Sequence, residues 1–439
     1  GQEGLSLLGW SSTLRGAGSR GHAELSAAFD ALGASVGVSV DKTAATLSGD
    51  VAIDQLEPML RLLADVLLRP QLQAKEVEAV RDELLAELSH LRDDDDALAH
   101  DALGRYLYRG QAIGRSSMGT EKSLRAIDPA SLAAWHRRQV HAGSVRIGFA
   151  GAIDRSRAEA LVQSVFGELP AAKPLKSVAS KLVQSGRRLL LIDKPRRSQA
   201  QVMLGLSTVA AAHKDMLPLV VANAVLGGAF TSRLNREIRE LRGWSYGTFA
   251  TLSAGPGVST WAMGFAPAHR NAVAALELAV RLVEELRQHG VTAAELRFAK
   301  DWLIGAHRLS LETADRELAQ RMRGLELGLS ERDLDTWVER IEAVDLKTLH
   351  KVLRERLKPE HLVAVVVGPA KPLRDKLAAT TAGFAVEQIA ADGAPEATSA
   401  LGRVETSRPA AEPEPETDAI EGPGEDSEGM EAEPPEDAP

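Results

Sequence analysis

Apolar positions along this chain recur mostly at helical spacing, interrupted at intervals by short runs in which small or apolar residues alternate with polar ones. Leu25 to Leu32 reads as an amphipathic helix, and the next two runs, ASVGVSV and TAATLSGDVA, read as a pair of strands. Gln55 to Leu68 and Ala74 to Leu91 return to the helical period, and Val145 to Ala150 is predicted as a strand. Further on, RRLLLID and AQVMLGLS predict strands, residues 215–241 predict helices, and YGTFATLSA and STWAMGFAP predict another strand pair. Residues 268–289 and 292–311 predict two long helices, and HLVAVVVGP is the clearest strand of all. Separated strand pairs followed by helices point to the α+β class, with mostly antiparallel sheets covered by helices.

The two blocks repeat one another. In the first, Leu32-Gly33 precedes a strand pair, then LEPMLRLLADVLL, then AKEVEAVRDELLAEL. In the second, Leu241-Arg242-Gly243 precedes a strand pair, then ALELAVRLVEELRQHG, then AAELRFAKDWLIGAH. Arg81-Asp82 and Lys300-Asp301 occupy equivalent places. A repeat this long is domain duplication, and two homologous halves are expected to face each other like a clamshell. The first domain is expected over residues 1–175 and the second over 187–385. The polar stretch AAKPLKSVASKLVQSG at 171–186, with Pro174, fits the linker between them.

Charge separates a third region. Residues 391–439 hold 15 acidic side chains against Arg403 and Arg408, a balance of −13, which leaves residues 1–390 with 50 basic against 46 acidic, or +4. Residues 386–439 are therefore expected to form a disordered, solvated Pro/Glu-rich tail, with too few apolar groups to offset the entropy of ordering. In the body, Lys and Arg are interspersed with Asp and Glu rather than gathered with aromatics, so no nucleic-acid partner is expected. No apolar run reaches the roughly 20 residues of a membrane helix. The absence of cysteine excludes disulfides and thiolate ligands but suits cytoplasm and periplasm equally, so the compartment stays open. Because the chain opens on Gly1 rather than Met, upstream residues are expected to be missing.

The stretches FDALGASVGVSV, LLADVLLRPQL, VRDELLAEL and VLGGAFTSRLNREIRELRGWSYG together resemble the pitrilysin/insulinase family, from Gly4 to about Gly368. That family includes mitochondrial processing peptidase and bacterial two-domain relatives, and its catalytic motif is H-x-x-E-H on a helix, two His binding zinc and the Glu activating water. Here the corresponding stretch reads GLSLLGWSSTLRG, which puts the two His positions at Leu7 and Ser11 and the base position at Trp10. Leucine has no donor, serine is a poor neutral ligand and tryptophan cannot act as a base. The third ligand position falls on Glu87, which alone makes no metal site. Glu87 with His90, and His136 with His141, are pairs without a convergent third ligand. His22 reads as polar surface in a loop, and LGG at 226–228 as a turn between helices without the spacing of a phosphate cradle. LGLST is not the G-x-S-x-G elbow of a serine hydrolase.

The resemblance also implies an Arg and a Tyr, seven residues apart, that bind the substrate carbonyl and stabilise the developing oxyanion. They match Arg239 and Tyr246, whereas Arg233, Arg236 and Arg242 are expected in salt bridges. The bland alternative makes Arg239 one of several helix-face cations and Tyr246 a strand aromatic. Metal positions lost and an Arg/Tyr pair kept imply a subunit that binds no metal of its own. Its zinc would reside in a homologous partner, as a heterodimer, or the chain would pair as a homodimer. The expected substrate is an unfolded peptide added to a sheet edge, cut by the partner's zinc-bound water. Two alternatives stand beside this: a catalytically inactive scaffold or peptide-binding subunit of the same fold, and a self-sufficient peptidase with an unrecognised metal site.

Overall fold

A computed structural model describes residues 2–175 and 180–390. The first half begins with helix α1 (Leu5–Thr13), the two-residue strands β1 (Gly16–Ala17) and β2 (Arg20–Gly21), and helix α2 (His22–Ala31). The alternating segments then pair as an antiparallel hairpin, β3 (Ser35–Val40) with β4 (Ala45–Asp50), in the register Ser35 to Asp50. Helices α3 (Leu56–Leu68), α4 (Ala74–Asp93), α5 (Asp95–Leu107), α6 (Glu121–Arg125), α7 (Pro129–Gln139) and α8 (Arg155–Phe166) follow. Val145 to Ala150, predicted as a strand, forms none. A strand is held by ladder bonds to a neighbour, and no described segment pairs with it. Its apolar side chains Ile147 and Phe149 pack instead on the cluster built from α2, α3 and α8.

The second half carries the larger sheet. Strands β5 (Arg188–Asp193), β6 (Gln201–Thr208), β7 (Thr248–Ser253), β8 (Ser259–Phe265), β9 (Val363–Gly368) and β10 (Ala385–Ala390) align in the order β10-β5-β9-β6-β8-β7. The pairings on one side, β6 with β8 and β9 and β7 with β8, are antiparallel, while β5 runs parallel to both β9 and β10. The acidic tail was expected from residue 386, yet residues 386–390 complete β10, because their apolar Val386 and Ile389 pack on the two sides of the sheet. The rest of that tail lies outside the described residues. Helices α9 (Met216–Asn223), α10 (Ala272–His289), α11 (Ala293–Ser310), α12 (Ala314–Glu326), α13 (Glu331–Asp335), α14 (Trp337–Glu342), α15 (Leu346–Arg356) and α16 (Ala370–Ala378) make up the remainder.

Every residue of β9, VAVVVG, is buried, because the sheet is covered on both faces. On one face Leu189, Leu191, Val202, Leu204, Trp261 and Val366 pack with α9, α10, α15 and α16. On the other, Leu190, Ile192, Met203, Val363, Val365 and Val367 meet Leu98, Ala99, Ala102, Leu103 and Leu107 of α5, a helix from the first half. The run Asp93 to Asp96 sets where α5 starts. The Asp94 carboxylate accepts from the backbone N–H groups of Asp96 and Ala97 at 2.9 and 3.0 Å, closing α4 and capping α5. The packing continues to Tyr108, whose hydroxyl lies 2.8 Å from Thr260 Oγ1.

In the first half, Arg81 of α4 is 5% exposed and donates to the carbonyls of Leu124 and Ile127 (2.8 Å for the latter) and to Glu78 at 3.0 Å. It thereby ties α4 to the carbonyls that follow α6, where Leu124 also accepts from the Ile127 N–H at 3.3 Å. Arg81→Ala should lower unfolding free energy by about 2–4 kcal/mol. Chemical denaturation of the whole chain measures this, with Arg81→Lys expected to lose less because it keeps one cationic donor.

Candidate functional site

Two corners of the molecule hold the residues singled out by the sequence. The first is the junction of α1 and α4. Leu7 and Trp10 of α1 point into a cluster built on Leu5, Leu8, Val77, Val80, Leu84 and Trp135. Trp10 meets Trp135 edge to face at 5.8 Å and His136 at 5.5 Å. Gly9 makes room for this stack, since a β-carbon there would sit 2.3 Å from the Trp135 ring. Ser11 is half-buried, and Glu87 is exposed and makes no ion pair or hydrogen bond among the described residues. The residues at the family's ligand positions therefore do not fit zinc: they form an apolar packing corner with one solvated carboxylate. Among the described residues no group of three His, Cys, Asp or Glu side chains is placed to hold a metal ion.

His136 and His141 are both buried, and among the described residues His136 Nε2 and His141 Nδ1 have no hydrogen-bond partner. Burial pushes the His136 imidazole down to about 4 from its ordinary 6.5. His22 is the first residue of α2 rather than a loop residue, 3.7 Å from Glu76.

The second corner is built by the chain between α9 and β7. Residues 215–241 were expected as ordinary helices. Only Met216–Asn223 is α-helical, and Ala224–Gly228 and Asn235–Glu240 are both π-helical. LGG at 226–228 ends the first π-segment instead of forming a turn. Gly227 lies so close to the edge strand that a β-carbon would be 2.6 Å from Ala250 Cβ. Asn223 Nδ2 donates to the Ala250 carbonyl at 3.1 Å, so this part of the β7 edge is already occupied. Buried Asn235 donates to the Phe230 carbonyl at 2.6 Å and pins the loop between the π-segments. Arg233 closes that loop from below with a two-pronged bridge to Glu295, at 2.7 and 2.8 Å.

The result is a stack. The Arg239 guanidinium lies 4.7 Å from the Phe230 ring centroid and 5.6 Å from that of Tyr246. Tyr246 is 91% exposed, Phe230 68% and nearby Leu241 61%. Arg239 has no carboxylate partner among the described residues, and the Tyr246 hydroxyl has no hydrogen bond there. Both sets of donors are thus free for a ligand oxygen. Arg233 and Arg242 are ion-paired as expected, Arg242 to Glu237 at 2.7 Å. Arg236 is exposed and unpaired among the described residues, against expectation, since its neighbouring acid Glu237 is taken by Arg242. Phe230 was not singled out by the sequence. Its only signal was a large aromatic in a segment, GGAFTS, otherwise made of small residues.

Two family models match the chain: "Insulinase (Peptidase family M16)" over residues 7–121 and "Peptidase M16 inactive domain" over residues 126–303. An uncharacterized zinc protease of Mycobacterium tuberculosis is 28% identical over 359 residues, 80% of each protein. A Helicobacter pylori protein named non-peptidase homolog YmxG is 22% identical over 324 residues, 73% of each. Among solved structures, a peptidase M16 inactive domain from Pseudomonas fluorescens superposes with a TM-score of 0.78 at 24% identity, covering 84% of this chain and 89% of that one. At that identity the superposition speaks for the fold.

The neutral state of His136 has a measurable consequence. The unfolded chain binds a proton at this residue near pH 6.5, the folded chain only near 4, so stability is complete above about pH 6.5 and is lost as pH falls toward 4. In His136→Phe this part of the acid sensitivity should vanish, so that denaturation free energies of wild type and variant, compared between pH 7 and 4.5, diverge in the variant's favour as pH falls.

Proposed function

The chain belongs to peptidase family M16, the insulinase family, and from that premise we propose that it is the non-zinc-binding subunit of a two-subunit metalloendopeptidase. Its part is to hold the scissile carbonyl of an unfolded peptide and stabilise the oxyanion that develops there. A homologous partner that carries the zinc site performs the hydrolysis. The observation that carries this reading is the exposed Phe230–Arg239–Tyr246 stack with its unspent donors. A cation held by two aromatic faces is fixed in place without a counter-ion, so it meets a developing negative charge with little reorganisation. The Tyr246 phenol, attached just ahead of β7, supplies a second donor to the same oxygen. Arg239 contributes charge and Tyr246 direction.

The metal corner supports the division of labour. A chain whose α1 presents Leu7, Trp10 and Ser11 lacks the donors to activate water itself. No helix among the described residues is long and apolar enough to cross a membrane. A second reading, a catalytically inactive peptide-binding or scaffold subunit, is favoured by one observation: the longer family match is to the inactive domain, over residues 126–303.

The two readings separate in one experiment. The chain is purified with its co-purifying homologue, and peptide cleavage is assayed with and without chelator, in wild type and in Tyr246→Phe. The shared-site reading expects chelator-sensitive cleavage that falls about 10²-fold in the variant while assembly is unchanged. Unaltered cleavage in Tyr246→Phe would remove the assigned role, and absence of any cleavage by the wild-type complex would leave the scaffold reading.

A further inference from the structure

Helix α11 leaves an apolar stripe uncovered. Only Leu296 and Ala299 of its side chains are buried, while Phe298 is 46% exposed, Trp302 39% and Leu309 64%. With Gly305, these residues fall four, three and four positions apart and share one face of the helix. Nothing lies within 4 Å of where a Gly305 β-carbon would stand, so the stripe has a recess between Trp302 and Leu309.

The stripe is complementary to itself. About the midpoint between Leu303 and Ile304, Phe298 mirrors Leu309 and Trp302 mirrors Gly305. Two copies of α11 laid antiparallel across a two-fold axis at that midpoint would therefore seat each Trp302 over the other copy's Gly305. Each Phe298 would lie against the other copy's Leu309 at the ends of the contact, while each Trp302 would enter the Gly305 recess beside the axis. The charges match as well. Asp301 and Arg308 lie two turns apart on one flank of the stripe, and neither has an ion-pair partner among the described residues. In the antiparallel pairing, each Asp301 comes within about 3 Å, along the helix axis, of the other copy's Arg308. The two-fold axis brings like flanks together, so this bridge forms twice.

We propose that the α11 face carrying Phe298, Trp302, Gly305 and Leu309 is a homodimer interface, centred on antiparallel α11 helices and flanked by reciprocal Asp301–Arg308 bridges. Trp302, beside the two-fold axis, is a residue type that often dominates binding energy at the middle of such a contact. This is independent of the role given to Arg239 and Tyr246, which lie on other elements.

Sedimentation and light scattering of the full chain, purified alone, test it. Wild type should be dimeric at micromolar concentration. Trp302→Glu should be monomeric with an unchanged circular dichroism spectrum. Asp301→Arg and Arg308→Asp should each raise the dimer Kd about tenfold or more, since attraction becomes repulsion at two places at once. An equimolar mixture of those two variants should recover the wild-type dimer, because both bridges re-form between unlike chains. A contact with any other partner would not produce that rescue. A wild type that stays monomeric, single variants that dimerise normally, a mixture that fails to recover, or a stripe that becomes covered only by the homologous subunit would each overturn the proposal.

Discussion

The six-stranded sheet of the second half cannot stand with only one face covered, and this requirement ties the molecule together. Strand β9 offers alternate valines to both sides, so Val363, Val365 and Val367 would be wet unless something lay over them. The cover is α5, contributed by the first half. Each fully buried Leu or Val side chain is worth about 1.5–3 kcal/mol, and α5 brings Leu98, Leu103 and Leu107 to the contact. The polar groups at its rim follow from that placement: Gln201 donates to Asp96 at 2.6 Å and Arg197 pairs with Asp95 at 2.9 Å. The four-aspartate run thus caps a helix and supplies carboxylates to the opposite half. The two halves share a packed core at this point.

The face of α1 that carries Leu7 and Trp10 is apolar. Here α1 has turned it inward, and Trp10 spends its area on Trp135 and His136. The neighbouring His136 imidazole is kept neutral by burial. The opposite corner obeys the reverse rule. Phe230, Leu241 and Tyr246 remain exposed, and Arg239 has no acid partner among the described residues. Exposed aromatic surface costs solubility, and only the contacts of the Phe230 and Tyr246 rings with the Arg239 guanidinium offset that here.

Periodicity exposed what is local and missed what is not. The hairpin β3–β4, the helices α3, α4, α10 and α11, and strand β9 were legible because each carries its own pattern of burial. Val145 to Ala150 has a strand's pattern without a strand's neighbour, and pattern alone cannot supply ladder partners. The π-segments were invisible because one extra residue per turn leaves apolar positions close to helical spacing over so short a run. The crossing of α5 onto the distant sheet was hidden for a different reason: an apolar helix face does not say whose surface it covers. Within the site, the separation of Arg239 and Tyr246 was readable, whereas Phe230 becomes part of it only through the loop that Asn235 and Arg233 hold.

That loop also explains why the π-helical geometry is kept despite its poorer hydrogen bonds. An ordinary α-helical path through residues 224–240 would advance by about 100° per residue and leave no bulge from which Phe230 could turn back over Arg239. The wider turns let Gly227 press against Ala250 and Asn235 reach the Phe230 carbonyl. Arg233 then anchors the bulge to Glu295 at the start of α11. The bridge to α11 thus fixes the loop that sets the Phe230 ring beside the Arg239 guanidinium.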